Sequence, residues 1–306
     1  MKKITIRSFN WDDLEDYNKL ISTINEQPLT DSKNDIQNLK RSISGPWQFP
    51  ERDIFFAVLD DDLVGFISLI LEKDTGRAIA SGGVNPEFRR QKIGTALLEH
   101  AISHSYSLGQ SWFQMDIPEN LQHSMAFCKS RGFEHVRTHT HLSLGNSINL
   151  SYSLSAEYKI RHMVDSDIEE LTRVQNLAFV GTWGFQKNTS EEVKYRIKQR
   201  HLPPPDHVDI VESLDGEIVG YCWSEHGLSG EPGAIGMVGV NPKVQGKGLG
   251  RAITAAGLKW LINSKANPIN ITVDSENLPA VNLYKSLGFE PKWESYWFQK
   301  DIRLRN

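Results

Sequence analysis

The second half of the chain alternates apolar and polar positions with two different periods. Short runs rich in β-branched and aromatic residues, such as 217–225 and 234–240, have the length of strands. Longer stretches, such as 166–178 and 250–264, repeat apolar residues every three to four positions and predict helices. Thr189-Ser-Glu-Glu192 forms a capping box, which predicts the start of another helix.

These elements follow one another as strand, helix, helix, a meander of strands, and then helix, strand, helix, strand. The strands predicted in the second half are 157–162, 208–212, 217–225, 234–240, 270–274 and 293–301. A last helix is predicted over 279–287. This order indicates the α/β class with a mixed sheet.

The sequence also repeats itself. Gly83-Val-Asn-Pro86 recurs as Gly239-Val-Asn-Pro242, 156 positions later. At the same distance, Lys129-Ser-Arg-Gly-Phe-Glu134 recurs as Lys285-Ser-Leu-Gly-Phe-Glu290. Blocks that recur in the same order at nearly constant spacing indicate duplicated domains rather than a solenoid of short repeats.

Length and composition fit two globular domains. The chain has 306 residues, of which 39% are hydrophobic and 24% charged, and this composition excludes collagen, coiled-coil and disordered classes. We divide the chain in the polar stretch 145–155, into a first domain, 1–150, and a second domain, 151–306. No feature of the sequence points to a particular oligomeric state.

Charge and cysteine content narrow the set of partners. The net charge is −4 and neither half is basic, so we expect no nucleic acid partner. No run of 18 apolar residues occurs and the N-terminus turns polar early, so we expect no membrane partner and a cytoplasmic location. Cys128 and Cys222 lack the spacing of metal ligands, and we predict reduced core thiols and no metal.

The sharpest chemical signal is a glycine-rich stretch after the predicted strand that ends at Val240. It runs Gln245-Gly-Lys-Gly-Leu-Gly250 and leads directly into a predicted helix. Glycines let the backbone turn back on itself, and the free N–H groups of a first helical turn face an anion. Lys243, Lys247 and Arg251 add positive charge. The stretch therefore predicts a phosphate site, although it matches neither common phosphate or dinucleotide motif, G-x-x-x-x-G-K-[ST] or G-x-G-x-x-G.

This stretch resembles the [RQ]-x-x-G-x-[GA] loop of the GNAT superfamily of acyl-CoA-dependent N-acyltransferases. A second block, Asn277-Leu-Pro-Ala-Val-Asn-Leu-Tyr284 followed by Gly288-Phe289, is similar to that family's N-x-x-A-x-x-L-Y-x-x-x-G-F pattern. The resemblance implies two tandem GNAT domains, the first inheriting it through the repeat. It also implies that acetyl-CoA is the acyl donor. The coenzyme A site implied in this way comprises strand, loop and helix residues: Val238, Gly239, Val240, Gln245, Gly246, Lys247, Gly248, Leu249, Gly250, Arg251 and Asn277.

The same resemblance places Tyr284 near the thioester sulfur, and chemistry supports a role for it there. Aminolysis of a thioester needs a neutral amine, a polarised carbonyl and a proton for the departing thiolate. A phenol can supply that proton if it is well placed or if its pKa is lowered. We therefore expect Tyr284 to be a catalytic acid and the backbone N–H of Val238 to stabilise the oxyanion.

The catalytic base is less directly indicated. Among double-domain GNAT proteins, Val219-Gly-Tyr-Cys-Trp223 and Gly239-Val-Asn-Pro242 are similar to segments of the mycothiol synthase family. That family carries Glu on the strand before the loop, where this chain has Ala234. Glu231 is our candidate for the replacement base. Glu225 and His226 are alternatives that lie nearby in sequence.

The first domain departs from the pattern at the positions that carry chemistry. Lys92 stands where the second domain has Gly248, and a lysine there is expected to keep an ordinary backbone conformation. Cys128 stands at the position of Tyr284, and Leu121 at that of Asn277. We therefore predict a degenerate, non-catalytic first domain beside a catalytic second domain. Its remaining role is either to bind coenzyme A or to complete the acceptor cleft of the second domain.

The acceptor is predicted to be the primary amine of a small molecule, attacked directly in the second domain. Acetylation of a protein or peptide amino group, and a non-catalytic coenzyme A-binding protein, are the alternatives. The candidate acceptor residues are aromatic or acidic, and are Trp183, Trp223, Tyr296, Trp297, Asp206 and Glu225. Trp11, Trp47 and Trp112 carry no motif and are expected to serve packing.

Overall fold

The computed structural model describes residues 4–25, 33–198, 206–225 and 232–303. The strands are β1 Thr5–Ser8, β2 Ile54–Leu59, β3 Asp62–Glu72, β4 Arg77–Val84, β5 Trp112–Pro118, β6 Glu134–Leu144, β7 Tyr158–His162, β8 His207–Ser213, β9 Ile218–Glu225, β10 Gly233–Val240, β11 Ile269–Asp274 and β12 Phe289–Asp301. The helices are α1 Leu14–Ile24, α2 Lys33–Ser42, α3 Pro50–Asp53, α4 Ile93–Ser107, α5 Gln122–Ser130, α6 Ile168–Phe179, α7 Ser190–Lys198, α8 Leu249–Asn263 and α9 Leu278–Leu287.

The predicted α/β class with a mixed sheet is confirmed. The second half has every element predicted for it, with ends that differ by at most four residues. The capping box before α7 forms as predicted, since the Thr189 hydroxyl accepts from the N–H of Glu192 at 3.2 Å and the Glu192 carboxylate accepts from that of Thr189 at 2.7 Å. In the described part of the chain, none of the helices combines the length and the apolarity needed to cross a membrane.

All twelve strands belong to one sheet, in the order β1-β2-β3-β4-β5-β12-β6-β11-β10-β9-β8-β7. Pairing is antiparallel except between β4 and β5 and between β10 and β11, which are parallel. The two halves thus contribute the same succession of strands, and each succession meets the other at the middle of the sheet.

The halves exchange their last strands there. Strand β12, from the second half, lies between β5 and β6 of the first half and pairs with both. Strand β6 in turn pairs with β11 of the second half, as in Ile271 opposite Leu142. The exchange crosses the division at residue 150 and leaves neither β5 nor β11 with an open edge at the centre of the sheet.

One hydrophobic core of each half depends on the exchange. Phe298 of β12 is 1% exposed and belongs to the core of the first half, with Phe113 and Phe133. Leu142 of β6 is 2% exposed and belongs to a core of the second half, with Ile271 and Leu249. Since each half completes its core with a strand of the other, we expect the two halves to unfold together.

The exchange predicts a large effect for Phe298→Ala. Removing this fully buried ring should lower the free energy of unfolding by about 3–5 kcal/mol, measured by denaturant titration, in a single transition. Phe49, which is 51% exposed, gives a matched control, and Phe49→Ala should change that free energy by about 0.5 kcal/mol or less. A loss below about 1 kcal/mol for Phe298→Ala would mean that β12 does not complete the first core.

Candidate active site

The site is built where two parallel strands part. Strands β10 and β11 pair only at Gly233 with Ile269 and at Ala234 with Asn270. Beyond Ala234 the backbone of β10 that faces away from β9 has no strand partner within the described residues. Peptide N–H and C=O groups without partners accept a ligand backbone or an amide chain readily.

A bulge accompanies the parting of the strands. The register between β10 and β9 shifts between Ile235 and Met237, so Gly236 is the extra residue of β10. Bulges re-aim the side chains that follow them. Met237 therefore packs on the α6 side of the sheet, whereas Val238 packs against the core on the α8 side.

The glycine-rich loop that follows β10 has the conformation that its sequence requires. Gly246 and Gly248 adopt φ of +80° and +78°, and Gly248 is the N-cap residue of α8 without a side-chain hydrogen bond. Gln245 fastens the loop, because its Nε2 donates to the carbonyl of Val240 at 3.0 Å. The first-turn N–H groups of α8 thus remain available at the end of the open β10 edge, in an arrangement that suits phosphate oxygens.

Two predicted phosphate cations are engaged elsewhere. Arg251 donates to the carbonyls of Ser151 and Asn149, at 2.8 and 3.0 Å, and to the hydroxyl of Ser286 at 2.6 Å. Lys247 donates to the hydroxyl of Tyr158 at 3.0 Å. Arg251 therefore fastens the segment that connects the halves, a role that its position in the motif does not indicate.

Four further predicted residues have structural roles. Gly239 leaves room for a ring, since a Cβ on it would lie 2.5 Å from Cε1 of Tyr221. Leu249 is 2% exposed and fills the core under α8. Asn277 caps α9, where its Oδ1 accepts from the N–H of Ala280 at 3.2 Å. Gly250 stays close to β10, with the side chain of Val240 3.9 Å from the position of a Cβ.

Tyr284 lies on α9 beside the open stretch of β10. It is 7% exposed, and Val238 and Val240 pack against the apolar cluster to which it belongs. Burial raises the pKa of its phenol well above the ordinary value, and the phenol is therefore protonated throughout the working pH range. This shift is opposite to the lowering considered from sequence, and it suits a hydrogen-bond donor rather than a base.

Of the three base candidates, the structure describes one. Glu231 and His226 lie outside the described residues. Glu225 is the last residue of β9 and pairs with Ala234, directly before the bulge. Its side chain lies over Gly236, where a Cβ would be 2.8 Å from its Cδ.

The loop of the first half keeps the same backbone without the glycines. Arg90 and Lys92 occupy the positions of Gly246 and Gly248 and adopt φ of +64° and +62°. The expectation of an ordinary backbone at Lys92 is therefore wrong. Tertiary structure outweighs the cost because Lys92 is fixed between a completed sheet and the start of α4, as the N-cap residue of that helix.

A cavity of about 330 Å³ lies between the two halves, next to the bulge. Its lining comes from the α6–α7 connection and β10 of the second half and from β3, β4 and Trp47 of the first, and includes Met237, Gln175, Trp183, Ile70 and Ile79. Its volume is that of a small-molecule site. Trp47, expected only to pack, is thus part of the cavity wall.

The first half holds the α6–α7 connection in place. Arg77 donates to the carbonyl of Gly184 at 2.7 Å, and Asp74 accepts from Nε2 of Gln186 at 3.2 Å. Two cavity residues, Gln175 and Gln186, have buried side-chain oxygens without a hydrogen-bond partner in the described structure. A buried amide oxygen is costly when unpaired, so these atoms favour a ligand with N–H or O–H groups.

The aromatic acceptor candidates separate into two groups. Trp183 and Trp297 lie between the halves with ring centroids 5.3 Å apart, and Trp183 lines the cavity. Trp223 is instead buried and donates from Nε1 to the buried carboxylate of Asp206 at 2.9 Å. Tyr296 donates to Glu294 at 3.0 Å. Trp183 is thus the predicted aromatic residue that lines the cavity.

Among the described residues, one group of side chains has the arrangement of metal ligands. The donor atoms of His162, His207 and Asp209 lie within 4.8 Å of one another. The imidazole of His207 is stacked between the imidazole of His162 and the indole of Trp260. Trp260 is near the end of α8, opposite the glycine-rich loop, so this group is separate from the site.

Solved structures share this architecture. A GCN5-related N-acetyltransferase from Sphaerobacter thermophilus aligns with a TM-score of 0.74, at 18% identity, over 99% of this chain and 97% of its own. A tandem GNAT protein from the clavulanic acid biosynthesis pathway aligns with a TM-score of 0.77, at 16% identity, over 99% of this chain and all of its own. At these identities the likeness shows the fold.

The sequence decides the family. Residues 13–133 and, separately, 168–289 match the acetyltransferase (GNAT) family. The chain belongs to this family. It is a tandem GNAT acetyltransferase, which confirms the resemblance found in the loop and in the Asn277–Tyr284 block.

Relatives of known name cover most of the chain. A mycothiol acetyltransferase of Saccharomonospora viridis is 30% identical over 241 residues, 75% of this chain and 76% of the relative. A mycothiol acetyltransferase of Thermobifida fusca is 31% identical over 237 residues, 71% and 72% of the two chains. These similarities extend across both GNAT domains.

Sequence reasoning missed three features of this GNAT site. It did not find the cavity wall formed by the first half, the role of Arg251 or the placement of Glu225 over Gly236. The first two depend on contacts between distant segments and carry no local signal. The placement of Glu225 did have a signal in the sequence. The offset between the copies is 155 residues from Val64-Gly-Phe66 to Val219-Gly-Tyr221, but 156 residues after β10. This difference indicates one inserted residue, which is the bulge of β10.

The left-handed backbone at Lys92 predicts a stabilising substitution. Lys92→Gly should raise the free energy of unfolding by about 0.5–1 kcal/mol, since relief of left-handed strain exceeds the added unfolded-state entropy of glycine. Gln91→Gly, one position earlier and without a positive φ, should lower it by about 0.5–1 kcal/mol. Denaturant titration measures the free energy of unfolding of both variants. An equal loss of that free energy in the two variants would contradict backbone strain at Lys92.

Proposed function

We propose that this chain transfers the acetyl group of acetyl-CoA to the primary amine of a small molecule, in one active site in its second domain, 151–306. The observation that carries the proposal is the parting of β10 from β11 directly before the uncapped, glycine-rich start of α8. Membership of the GNAT family supports acetyl-CoA as the donor.

The donor half of the site fits coenzyme A in shape and in hydrogen-bonding capacity. The backbone of Val238 and Val240 is open to pair with the amide groups of the pantetheine arm. The N–H groups around Gly246 to Gly250 would receive the pyrophosphate. Since Arg251 and Lys247 already bind protein groups, backbone N–H groups rather than side-chain cations would provide most of this contact.

The acceptor half is the cavity between the domains. Its volume of about 330 Å³ and its wall from the first domain favour a small molecule over a protein chain. The unpaired oxygens of Gln175 and Gln186 favour an amine that carries several N–H or O–H groups. Met237, which lines the cavity, is one residue from the bulge, so an amine held there would reach the thioester from the α6 side.

Direct attack then needs few groups from the protein. The amine nitrogen bonds to the thioester carbonyl carbon, and the N–H of Val238 stabilises the oxygen that gains charge. The carbon–sulfur bond breaks, and the protonated Tyr284 donates its hydrogen to the departing thiolate. The raised pKa of Tyr284 keeps its phenol protonated, so the O–H is present to donate a charge-assisted hydrogen bond to the departing thiolate.

The first domain would not catalyse the reaction. Cys128, at the position of Tyr284, is 2% exposed, and burial raises the pKa of its thiol to about 11. Leu121 begins α5 without a side-chain cap, where Asn277 caps α9. Its proposed contribution is structural, through the strand exchange and the cavity wall.

The proposed role of Tyr284 predicts a loss of rate without a loss of binding. With acetyl-CoA and a panel of glucosamine, spermidine, kanamycin and a lysine-containing peptide, thiol release measures turnover by the full chain. Tyr284→Phe should lower kcat by about 100-fold or more while the Kd of acetyl-CoA stays within about threefold.

Cys128→Ala, at the equivalent position of the first domain, is the matched control and should leave kcat unchanged. Full activity of Tyr284→Phe would contradict the proposed role of Tyr284 as the catalytic acid. If the peptide is turned over and none of the small amines is, the acceptor is the amino group of a protein or peptide rather than of a small molecule. Binding of acetyl-CoA without turnover of any amine would favour a non-catalytic coenzyme A-binding protein.

A further inference from the structure

We propose that Glu225 is the catalytic base of this chain and that Gly236, in the bulge of β10, leaves room for its carboxylate. The inference rests on the proposed acetyl transfer and deepens it by naming the group that accepts the proton of the attacking amine. It is carried by the placement of Glu225 beside Gly236, at the point where β10 and β11 part.

Glu225 faces the acceptor side of the sheet. Trp223, two residues earlier on β9, packs with Met237 in the core under α6 and α7, and side chains two apart on a strand share a face. Cys222 belongs to the core under α8, on the other face. The carboxylate therefore lies on the same face as the cavity, where the amine is proposed to bind.

Gly236 provides the space that the carboxylate occupies. A Cβ on Gly236 would lie 2.8 Å from Cδ and 3.0 Å from Cγ of Glu225, and closer still to Oε1. The φ of Gly236 is not positive, so its conformation alone does not require glycine. The lack of a side chain thus permits the close approach of Glu225, whose carboxylate lies over the bulge of β10.

The first domain provides an internal comparison. Its strands β3 and β4 pair without a register shift, so the bulge is absent from this ladder. Phe66 pairs with Gly83 as Tyr221 pairs with Gly239, and four residues further along each strand Ile70 stands where Glu225 does. The first domain, which has no tyrosine at the position of Tyr284, therefore also lacks the carboxylate and the bulge.

The proton balance of the reaction requires such a group. An alkyl ammonium loses one proton to become a nucleophile, and the tetrahedral nitrogen carries a further proton that leaves as the amide forms. The Glu225 carboxylate accepts the proton of the ammonium and passes it to solvent. Tyr284 delivers a proton to the thiolate, and the second proton lost by nitrogen replaces it through solvent, so that one proton is released overall. The products are the amide and the free thiol, with no change of oxidation state.

The test compares amines that differ in protonation. Glu225→Gln, in the full chain with acetyl-CoA, should lower kcat by about 100-fold or more with the most active alkylamine of the panel. Hydroxylamine is mostly unprotonated at neutral pH, so its turnover should fall by no more than about threefold. Glu169→Gln, an exposed carboxylate on α6, is the control and should change neither.

A second variant tests the bulge independently. Gly236→Ala should displace the carboxylate and lower alkylamine turnover by about tenfold or more with the Kd of acetyl-CoA unchanged. In the Glu225→Gln background it should add no further loss, because both substitutions remove the same group. Alkylamine turnover by Glu225→Gln within about threefold of the unmodified chain, equal losses with both amines, or additive losses in the double variant would overturn the assignment. Absence of turnover by the unmodified chain would instead overturn the proposed function, and the role of Glu225 with it.

Discussion

The insertion of β12 between β5 and β6 is the constraint on which the rest of the molecule depends. An unpaired strand at the centre of a sheet leaves a row of N–H and C=O groups that must find partners. Here each half provides the missing strand of the other, and Phe298 and Leu142 each complete one core of the opposite half. The halves are therefore fixed against each other, which places Ile70 of the first half in the wall of the cavity and Arg77 against Gly184 of that wall.

Duplication has preserved the backbone of the first copy more strictly than its chemistry. Arg90 and Lys92 keep the left-handed conformations of a glycine loop, and Arg89 donates to the carbonyl of Val84 at 3.2 Å as Gln245 does to that of Val240. The residues proposed for proton transfer have changed, with Cys128 at the position of Tyr284. Packing thus constrains the loop in both copies, whereas proton transfer is proposed to constrain the second alone.

Local sequence patterns were enough to predict the helices, the strands and the family, because each of these depends on the residues of one short segment. The capping box at Thr189, the loop at Gln245–Gly250 and the Asn277–Tyr284 block each specify their own structure or motif. The strand exchange was not predictable in this way, since β6 and β12 have partners more than a hundred residues away and no local pattern chooses between them. The side-chain contacts of Arg251 and of Glu225 depend on that same long-range arrangement.

One copy is proposed to hold the active site and the other to support it. Matched carboxylates in the two loops test this most directly, because aspartate tolerates the left-handed conformation and repels phosphate. Gly246→Asp should raise the KM for acetyl-CoA by about tenfold or more, and Arg90→Asp, at the equivalent position, should leave it within about twofold. Loss of turnover in Arg90→Asp with normal turnover in Gly246→Asp would contradict the account.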